Sequence, residues 1–275
     1  YYTTRGTKTQ TRYFDANDKP IVVQSLGYAS LRNEMDGRRI ASTSYFDASG
    51  NPVDSTYGYQ KVVYSYDSKH NRSGEAYFSA NGDRAICKDG YSKVTYVNDS
   101  DGNHLTTVYF GTDGNRITTS GGYNEMHNTW EEKRKIAESY FLDDEPVLCA
   151  NGYHEVLTSY NGNGKVTQTQ YLDLNGQLTN SREGYAILRN TYDEDGTVAM
   201  AIYLKADGSY FIPRGRDYAY SLKTWNDDRS GYSITYYGTD GQPVRISSGY
   251  ATIQCDVDRT GSVVRETYLD VYGNR

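Results

Sequence analysis

From Gly90 to Ile117 the chain alternates apolar and polar positions, so that Ser92, Val94 and Tyr96 share one face. The segment opens with Gly90-Tyr91 and turns at Asp101-Gly102-Asn103. It returns to Tyr109-Phe110 and turns again at Asp113-Gly114-Asn115. The pattern predicts strand, tight turn, strand, tight turn and a short closing strand. Asp-Gly and Gly-Asn supply the positive backbone angles that two-residue hairpin turns need.

This unit recurs along the chain with a period of about 32 residues. Its opening pair returns at Gly27, Gly58, Gly90, Gly122, Gly152, Gly184 and Gly249, each followed by tyrosine, with Asp217-Tyr218 in the remaining place. A mid-repeat tyrosine returns at Tyr13, Tyr45, Tyr77, Tyr109, Tyr140, Tyr171, Tyr203, Tyr236 and Tyr268. The residue after it is Phe14, Phe46, Phe78, Phe110 or Phe141 in the first part of the chain, then Leu172, Leu204, Tyr237 and Leu269. The 275 residues are therefore expected to form a single repeat array, one partial unit followed by eight full ones, in which each unit covers its neighbour. The fold class this predicts is all-β: an elongated array, a β-solenoid or superhelix of stacked hairpins.

Some units break the turn pattern. Asp18 replaces the second turn glycine of the first, partial unit, and His70-Asn71 stands in place of a turn glycine in the Gly58 unit. The Gly27 unit is one residue short and turns at Asp36-Gly37. The Gly122 unit departs most, with Trp130, a charged tip at Lys133-Arg134-Lys135, and Asp143-Asp144-Glu145. Arg229 occupies the first turn of the Asp217 unit. Aligning Tyr13 with Tyr109 places Gly6 on the turn glycine Gly102, so the chain starts inside a repeat and is expected to be a piece of a longer protein.

Composition narrows the function. Apolar residues make up only 36% of the chain, and 30 tyrosines supply much of that. Tyrosine buries a large ring while its hydroxyl stays wet, which suits thin layers. No apolar run is long enough to span a bilayer. The net charge of −6 argues against a nucleic-acid partner, because the Lys133–Lys135 cluster is flanked by Glu131, Glu132 and Glu138 and reads as a solvated tip. Cys87, Cys149 and Cys255 read as small buried or half-buried fillers, since layers of about 10 Å put equivalent sites two repeats apart beyond disulfide reach.

Chemistry of interest collects at one variable position. Seven residues after the opening tyrosine come Met35, Tyr66, Asn98, Trp130, Tyr160, Tyr192, Trp225 and Val257, each followed by an acid or amide. A ring to stack on beside an acceptor is the composition of a sugar or cation site. The same residues also fit an Asx-type turn with a ring packed on its neighbour. Catalytic constellations are absent: there is no Gly-x-Ser-x-Gly, no His-Glu-x-x-His and no phosphate loop, and His70, His104, His127 and His154 occupy different repeat positions. The Asp-rich turns lack the spacing of an EF-hand. No enzyme activity, cofactor or metal is expected.

The Gly-Tyr opening, the Tyr-Phe or Tyr-Leu pair followed by Asp, and the Asp-Gly-Asn turn resemble tyrosine-rich bacterial surface repeats. They are similar to the cell-wall (choline-binding) and glucan-binding repeats and, more distantly, to the YD repeats of RHS-type proteins. The chain departs from the choline-binding unit in its longer period, its two turns, and tyrosine in place of tryptophan after the glycine. The resemblance implies a non-catalytic module at the cell surface or secreted, binding a cell-wall glycan, teichoic acid or secreted polysaccharide through grooves between repeats. By analogy Tyr59, Tyr91, Tyr123 and Tyr153 join Tyr66, Trp130, Tyr160, Tyr192 and Trp225 as ligand-binding candidates. The alternative is a structural spacer, shell or protein–protein scaffold attached to an upstream enzyme domain.

Overall fold

The computed structural model describes residues 8–275, and all regular structure there is β. Gly6 lies outside the described residues. The chain divides into two compact units, Tyr1–Lys133 with Ser139–Val147, and Arg134–Glu138 with Leu148–Arg275. Among the described residues no helix is long and apolar enough to cross a membrane.

The first unit holds β1 (Gln10–Arg12), β2 (Ser30–Asp36), β3 (Arg39–Phe46), β4 (Lys61–Tyr66) and β5 (Arg72–Phe78). These are followed by β6 (Lys93–Asn98), β7 (His104–Phe110) and β8 (Glu125–Glu131). Strand β9 (Arg134–Leu142) gives residues to both units, and the two-residue β10 (Glu145–Pro146) folds back on its end. The second unit holds β11 (Glu155–Tyr160), β12 (Val166–Leu172), β13 (Ile187–Tyr192) and β14 (Val198–Leu204). It ends with β15 (Tyr220–Trp225), β16 (Gly231–Tyr237), β17 (Thr252–Val257) and β18 (Val263–Leu269).

Within each unit the strands pair antiparallel in chain order, as an open meander. Pairing inside a repeat is long, from Lys93↔Phe110 to Asn98↔His104. Pairing between repeats is short, as in Thr106↔His127 to Val108↔Glu125. The predicted face of β6 is the buried one: Ser92 is 0% and Val94 1% exposed, whereas Val97 on the other face is 58% exposed. The second turn closes on a single bridge, as at Phe46↔Pro52, Phe78↔Arg84, Phe110↔Arg116 and Leu172↔Leu178, which is the short closing strand of the pattern.

The turns differ from the expected two-residue type. At the tip after β6, Asp99 N–H donates to Asn103 O and Gly102 N–H to Asp99 O, with Gly102 at φ 86°. That is a three-residue loop with a left-handed glycine and a bulge, matching the register shift at Val97/Asn98. Asp99 defines it: its Oδ1 accepts from the N–H groups of Asp101 and Asn103, and its Oδ2 from the Asn103 amide. Two-residue loops occur at the second turn of the Gly122 unit and in the short Gly27 unit. Asp143 and Asp144 both have positive φ (52° and 70°) between the paired Leu142 and Glu145, and Gly37-Arg38 link the paired Asp36 and Arg39. The non-glycine substitutes Asp18, His70 and Arg229 take positive φ, as their place in the pattern predicts.

Each Gly-Tyr also closes a third turn that the sequence reading did not include. Cys87 N–H donates to Tyr91 O while Gly90 N–H donates to Cys87 O, and Ser55, Thr119, Cys149 and Ser181 repeat the arrangement. This explains the two cysteines before Gly-Tyr: they occupy a site that Ser55 and Thr119 fill with a hydroxyl donating to the carbonyl of Tyr59 or Tyr123. All three cysteines are free and buried.

The residue after Gly-Tyr is the backbone junction of the array. Ala29, Gln60, Ser92, Asn124, Ala186, Ala219 and Ala251 are all nearly inaccessible. Ser92 N–H donates to Phe110 O of its own repeat, and its carbonyl accepts from Tyr77 N–H of the repeat before. The same pair of bonds recurs at Gln60, Asn124, Ala186 and Ala251. Small side chains dominate there because neighbouring backbone lies close on both sides.

Candidate functional site

The opening and mid-repeat tyrosines form a ladder on the buried face. In the first unit the rings follow Tyr13, Tyr28, Tyr45, Tyr59, Tyr77, Tyr91, Tyr109, Tyr123 and Tyr140. Pairs inside a repeat have centroids 4.6–4.9 Å apart. Pairs across a repeat boundary are 5.8–6.2 Å apart. Tilted rings at these distances are the favoured geometry of aromatic pairs. The second unit repeats the scheme from Tyr153 to Tyr203 and from Tyr218 to Tyr268. Among the described residues no ring contact joins Tyr203 to Tyr218. Arg216 stands between them, 5.3 Å from one ring and 5.6 Å from the other.

Burial governs the chemistry of these phenols. It pushes Tyr45, Tyr91 and Tyr236 up to about 12. Tyr77, only 5% exposed, is raised further, by burial and by the Glu75 carboxylate that accepts its hydroxyl proton at 2.7 Å. Of the ladder candidates, Tyr59, Tyr91 and Tyr123 are half-buried and Tyr153 is buried, each in contact with ladder neighbours. In the first unit the ladder brings Tyr59, Tyr91 and Tyr123 into one stack of rings, and Tyr153 belongs to the ladder of the second.

The variable aromatic position is arranged differently. Tyr66 Oη donates to Ile40 O, Trp130 Nε1 to His104 O, Tyr160 Oη to Lys135 O and Tyr192 Oη to Val166 O, at 2.6–2.9 Å. In each case the acceptor lies at the start of the second strand of the preceding hairpin. Asn98 does the same with its amide, donating to Arg72 O at 2.9 Å. Residues two before the ring reinforce the contact: Asn128 donates to His104 O, and Asn190 to Val166 O. Asn128 is buried and the others are half-buried, and their donors tie one hairpin to the next. No sequence signal gave this, because the acceptor is a backbone carbonyl about 26 residues away, whatever its side chain.

Trp225 makes another kind of contact. Its Nε1 and the Lys223 ammonium both reach Asp193 Oδ2 at 3.3 Å. Lys223 lies 4.4 Å and Arg229 5.2 Å from its ring, and Arg229 also pairs with Asp195 and Glu194. The Thr197 hydroxyl, with the other donors around it, holds the Asp193 carboxyl well below the usual carboxylate range. Trp225 lines a cleft of about 320 Å³ together with Thr224, Ser233, Gln254 and Asp256. Thr224, Ser233 and Gln254 sit opposite one another across β15, β16 and β17, forming a row of hydroxyl, hydroxyl and amide.

The irregular Gly122 unit carries a charged string. Arg116 bridges Asp144 at 2.8 Å and the buried Glu125 at 3.0 Å, while Glu125 Oε1 meets His127 Nε2 at 2.6 Å. His127 packs on Phe141 at 4.2 Å. Among the described residues no group of histidine, cysteine or carboxylate side chains could hold a metal ion.

No protein-family model matches this sequence, and no curated protein matches it. Solved structures do. The crystal structure of TcdB2-TccC3 without its hypervariable C-terminal region is 11% identical, over 94% of this chain and 18% of the other, with a TM-score of 0.19. The TcdB2-TccC3-Cdc42 crystal structure gives 11% identity, the same coverage and a TM-score of 0.18. The chain spans less than a fifth of the length of either.

Proposed function

We propose that the chain is a non-catalytic structural repeat, a spacer or wall whose task is to present a continuous, stiff β surface. One observation carries this reading. The groups that look like binding groups in sequence, the rings at Tyr66, Trp130, Tyr160 and Tyr192, spend their donors on the backbone of the preceding hairpin. An array built to bind a polymer would keep those donors for the ligand.

Sedimentation with insoluble cell walls and with insoluble α-glucan tests it. The array should stay in the supernatant, since weak sites must act together to retain a protein. Retention that disappears in a Tyr66→Phe, Tyr160→Phe, Tyr192→Phe triple variant would overturn the scaffold reading.

A second reading, glycan binding, is favoured by the cleft beside Trp225, whose hydroxyl and amide row offers donors and acceptors together. Its size is at the small end for ligand sites, suiting one or two sugar residues. Soluble glucose or N-acetylglucosamine should then quench Trp225 fluorescence in a Trp130→Phe background, and Gln254→Ala should abolish the response. An unquenched Trp225 at saturating sugar would remove this reading.

A further inference from the structure

Beyond holding repeats together, the ladder has the arrangement of a redox path. We propose that the tyrosine ladder of the first unit carries an oxidising equivalent from ring to ring, and that Tyr77 beside Glu75 is where it comes to rest as a neutral tyrosyl radical. This inference does not depend on the scaffold or glycan readings.

The spacing is the first argument. From Tyr13 to Tyr140 each centroid lies within 6.2 Å of the next, with no aliphatic residue interrupting the sequence of rings. Tyr57, half-buried, touches both Tyr45 and Tyr59 at 6.1 and 6.2 Å, and so offers an entrance at the side of the ladder.

The second argument is the proton. A phenol that loses an electron becomes a strong acid, so the radical settles where a base already holds the hydroxyl hydrogen. Tyr77 Oη donates to Glu75 Oε2 at 2.7 Å. Arg72 Nη1 holds the other carboxylate oxygen at 3.0 Å, which fixes the carboxylate and leaves Oε2 to the phenol. At Tyr45 and Tyr109, the mid-repeat rungs on either side, the residue two positions earlier is Thr43 or Thr107, neither of which is a base. Before Tyr140 it is Glu138, but there the Oε2 oxygen is engaged by the Lys135 ammonium. The third argument is shelter. Tyr77 is 5% exposed, so a radical there is kept from solvent and from radicals on other molecules.

The step balances as follows. A one-electron oxidant, metal-centred or peroxide-derived, takes an electron at the half-buried Tyr57, and successive rings pass the deficit inward. At Tyr77 the O–H bond breaks, the proton moves to Glu75 Oε2, and the unpaired electron stays on the ring and its oxygen. A one-electron donor such as ascorbate restores the electron, and Glu75 returns the proton.

Flash photolysis of the full chain with ruthenium tris-bipyridine and a cobalt(III) quencher, trapped by freezing, provides the test by electron paramagnetic resonance. The wild-type protein should give a tyrosyl signal. Glu75→Gln keeps an acceptor but not a base, and should lower the yield several-fold. Tyr77→Phe should remove the signal or change its hyperfine pattern. Tyr272→Phe, which removes the hydroxyl from a residue 85% exposed and outside the ladder, should leave it unchanged. Near-UV circular dichroism identifies any variant that has lost its fold. Tyr45→Phe then serves as a milder interruption of the path and should also reduce the yield. Equal yields in wild type and Glu75→Gln, an unchanged spectrum in Tyr77→Phe, or a signal centred on the Cys87 sulfur that packs against Tyr77 would each overturn the assignment.

Discussion

The two compact units use one repeat but join their rings differently. In the first, ring contacts run unbroken from Tyr13 to Tyr140. In the second, the run stops at Tyr203 and resumes at Tyr218, with the Arg216 guanidinium between. One hairpin tip of the second unit differs in the same sense. Tyr66 and Trp130 in the first unit and Tyr160 and Tyr192 in the second bond to backbone, whereas Trp225 is held among Asp193, Lys223 and Arg229. The break coincides with the repeat that lacks the Gly-Tyr opening, where Asp217 stands. There the turn lies earlier, where Arg216 N–H donates to Pro213 O with Gly215 at φ 81°, and the Arg216 guanidinium fills the gap between the rings. A cation over a ring contributes about 0.5–1 kcal/mol in exposed settings, and aromatic pairs a similar amount, so the exchange costs little at the contact itself. What changes is its dependence on salt and pH.

Alkali should produce the largest difference. The folded pKa values of Tyr45, Tyr91 and Tyr236 lie near 12, above the unfolded value of about 10. Their contribution to stability is therefore complete below pH 10 and is lost as pH rises toward 12. Both units should unfold in this window, with tyrosinate absorbance and circular dichroism changing together. Ionisation without unfolding would show that the rings are not buried.

Emptying a rung ranks next. Tyr77→Ala should cost about 3–5 kcal/mol by denaturant unfolding, as for other large buried rings. Tyr203→Ala, beside the break, should cost less. Equal losses would mean that the guanidinium couples its neighbours as firmly as a ring does.

Removing one donor from a tip is a smaller change. Tyr66→Phe should cost about 1 kcal/mol, because the Ile40 carbonyl loses a bond made across the repeat boundary. Added salt should not alter that cost. Trp225→Phe, by contrast, should respond to salt, since ion pairs surround it.

The smallest effect has the opposite sign. His70 holds φ 75°, a left-handed conformation costing about 1–2 kcal/mol in a non-glycine residue. Glycine's extra freedom in the unfolded chain offsets about 0.5–1 kcal/mol of the relief. His70→Gly should thus stabilise the first unit by ~0.5 kcal/mol. Arg229→Gly should not stabilise the second, because Arg229 also carries pairs to Asp195 and Glu194. A gain at both sites would show those pairs to be worth nothing.

The fold was readable because two signals of different period coincide. Alternation gave the strands, and glycine after Asp gave the turns, so Lys93–Asn98 and His104–Phe110 fall where the pattern puts them. The pattern does not fix the turn type, because Asp-Gly-Asn suits both a two-residue loop and a longer one. Which forms depends on Asp99 gathering the N–H groups of Asp101 and Asn103. The Cys87 turn carries no mark of its own, because its Gly-Tyr both ends the turn and opens the next repeat. The candidate site was legible as a position but not as a set of contacts. Sequence shows that Tyr66, Trp130 and Tyr192 are equivalent, but not that each faces a carbonyl of the previous hairpin. Side-chain identity marks the donor alone.

The two-way hydrogen bonding of Ser92 and its equivalents bears on how such a chain can change over time. At Ala29, Gln60, Ser92, Asn124, Ala186 and Ala251 the residue hands one bond forward and takes one from behind, with partners at equivalent repeat positions. Excising or duplicating one whole period therefore leaves each backbone donor facing an acceptor of the kind it had before, whereas a cut of any other length orphans a run of them. Gene-level slippage in whole periods is thereby tolerated and other slippage is purged. Repeat number becomes the quantity most free to vary, while the register inside each repeat stays fixed.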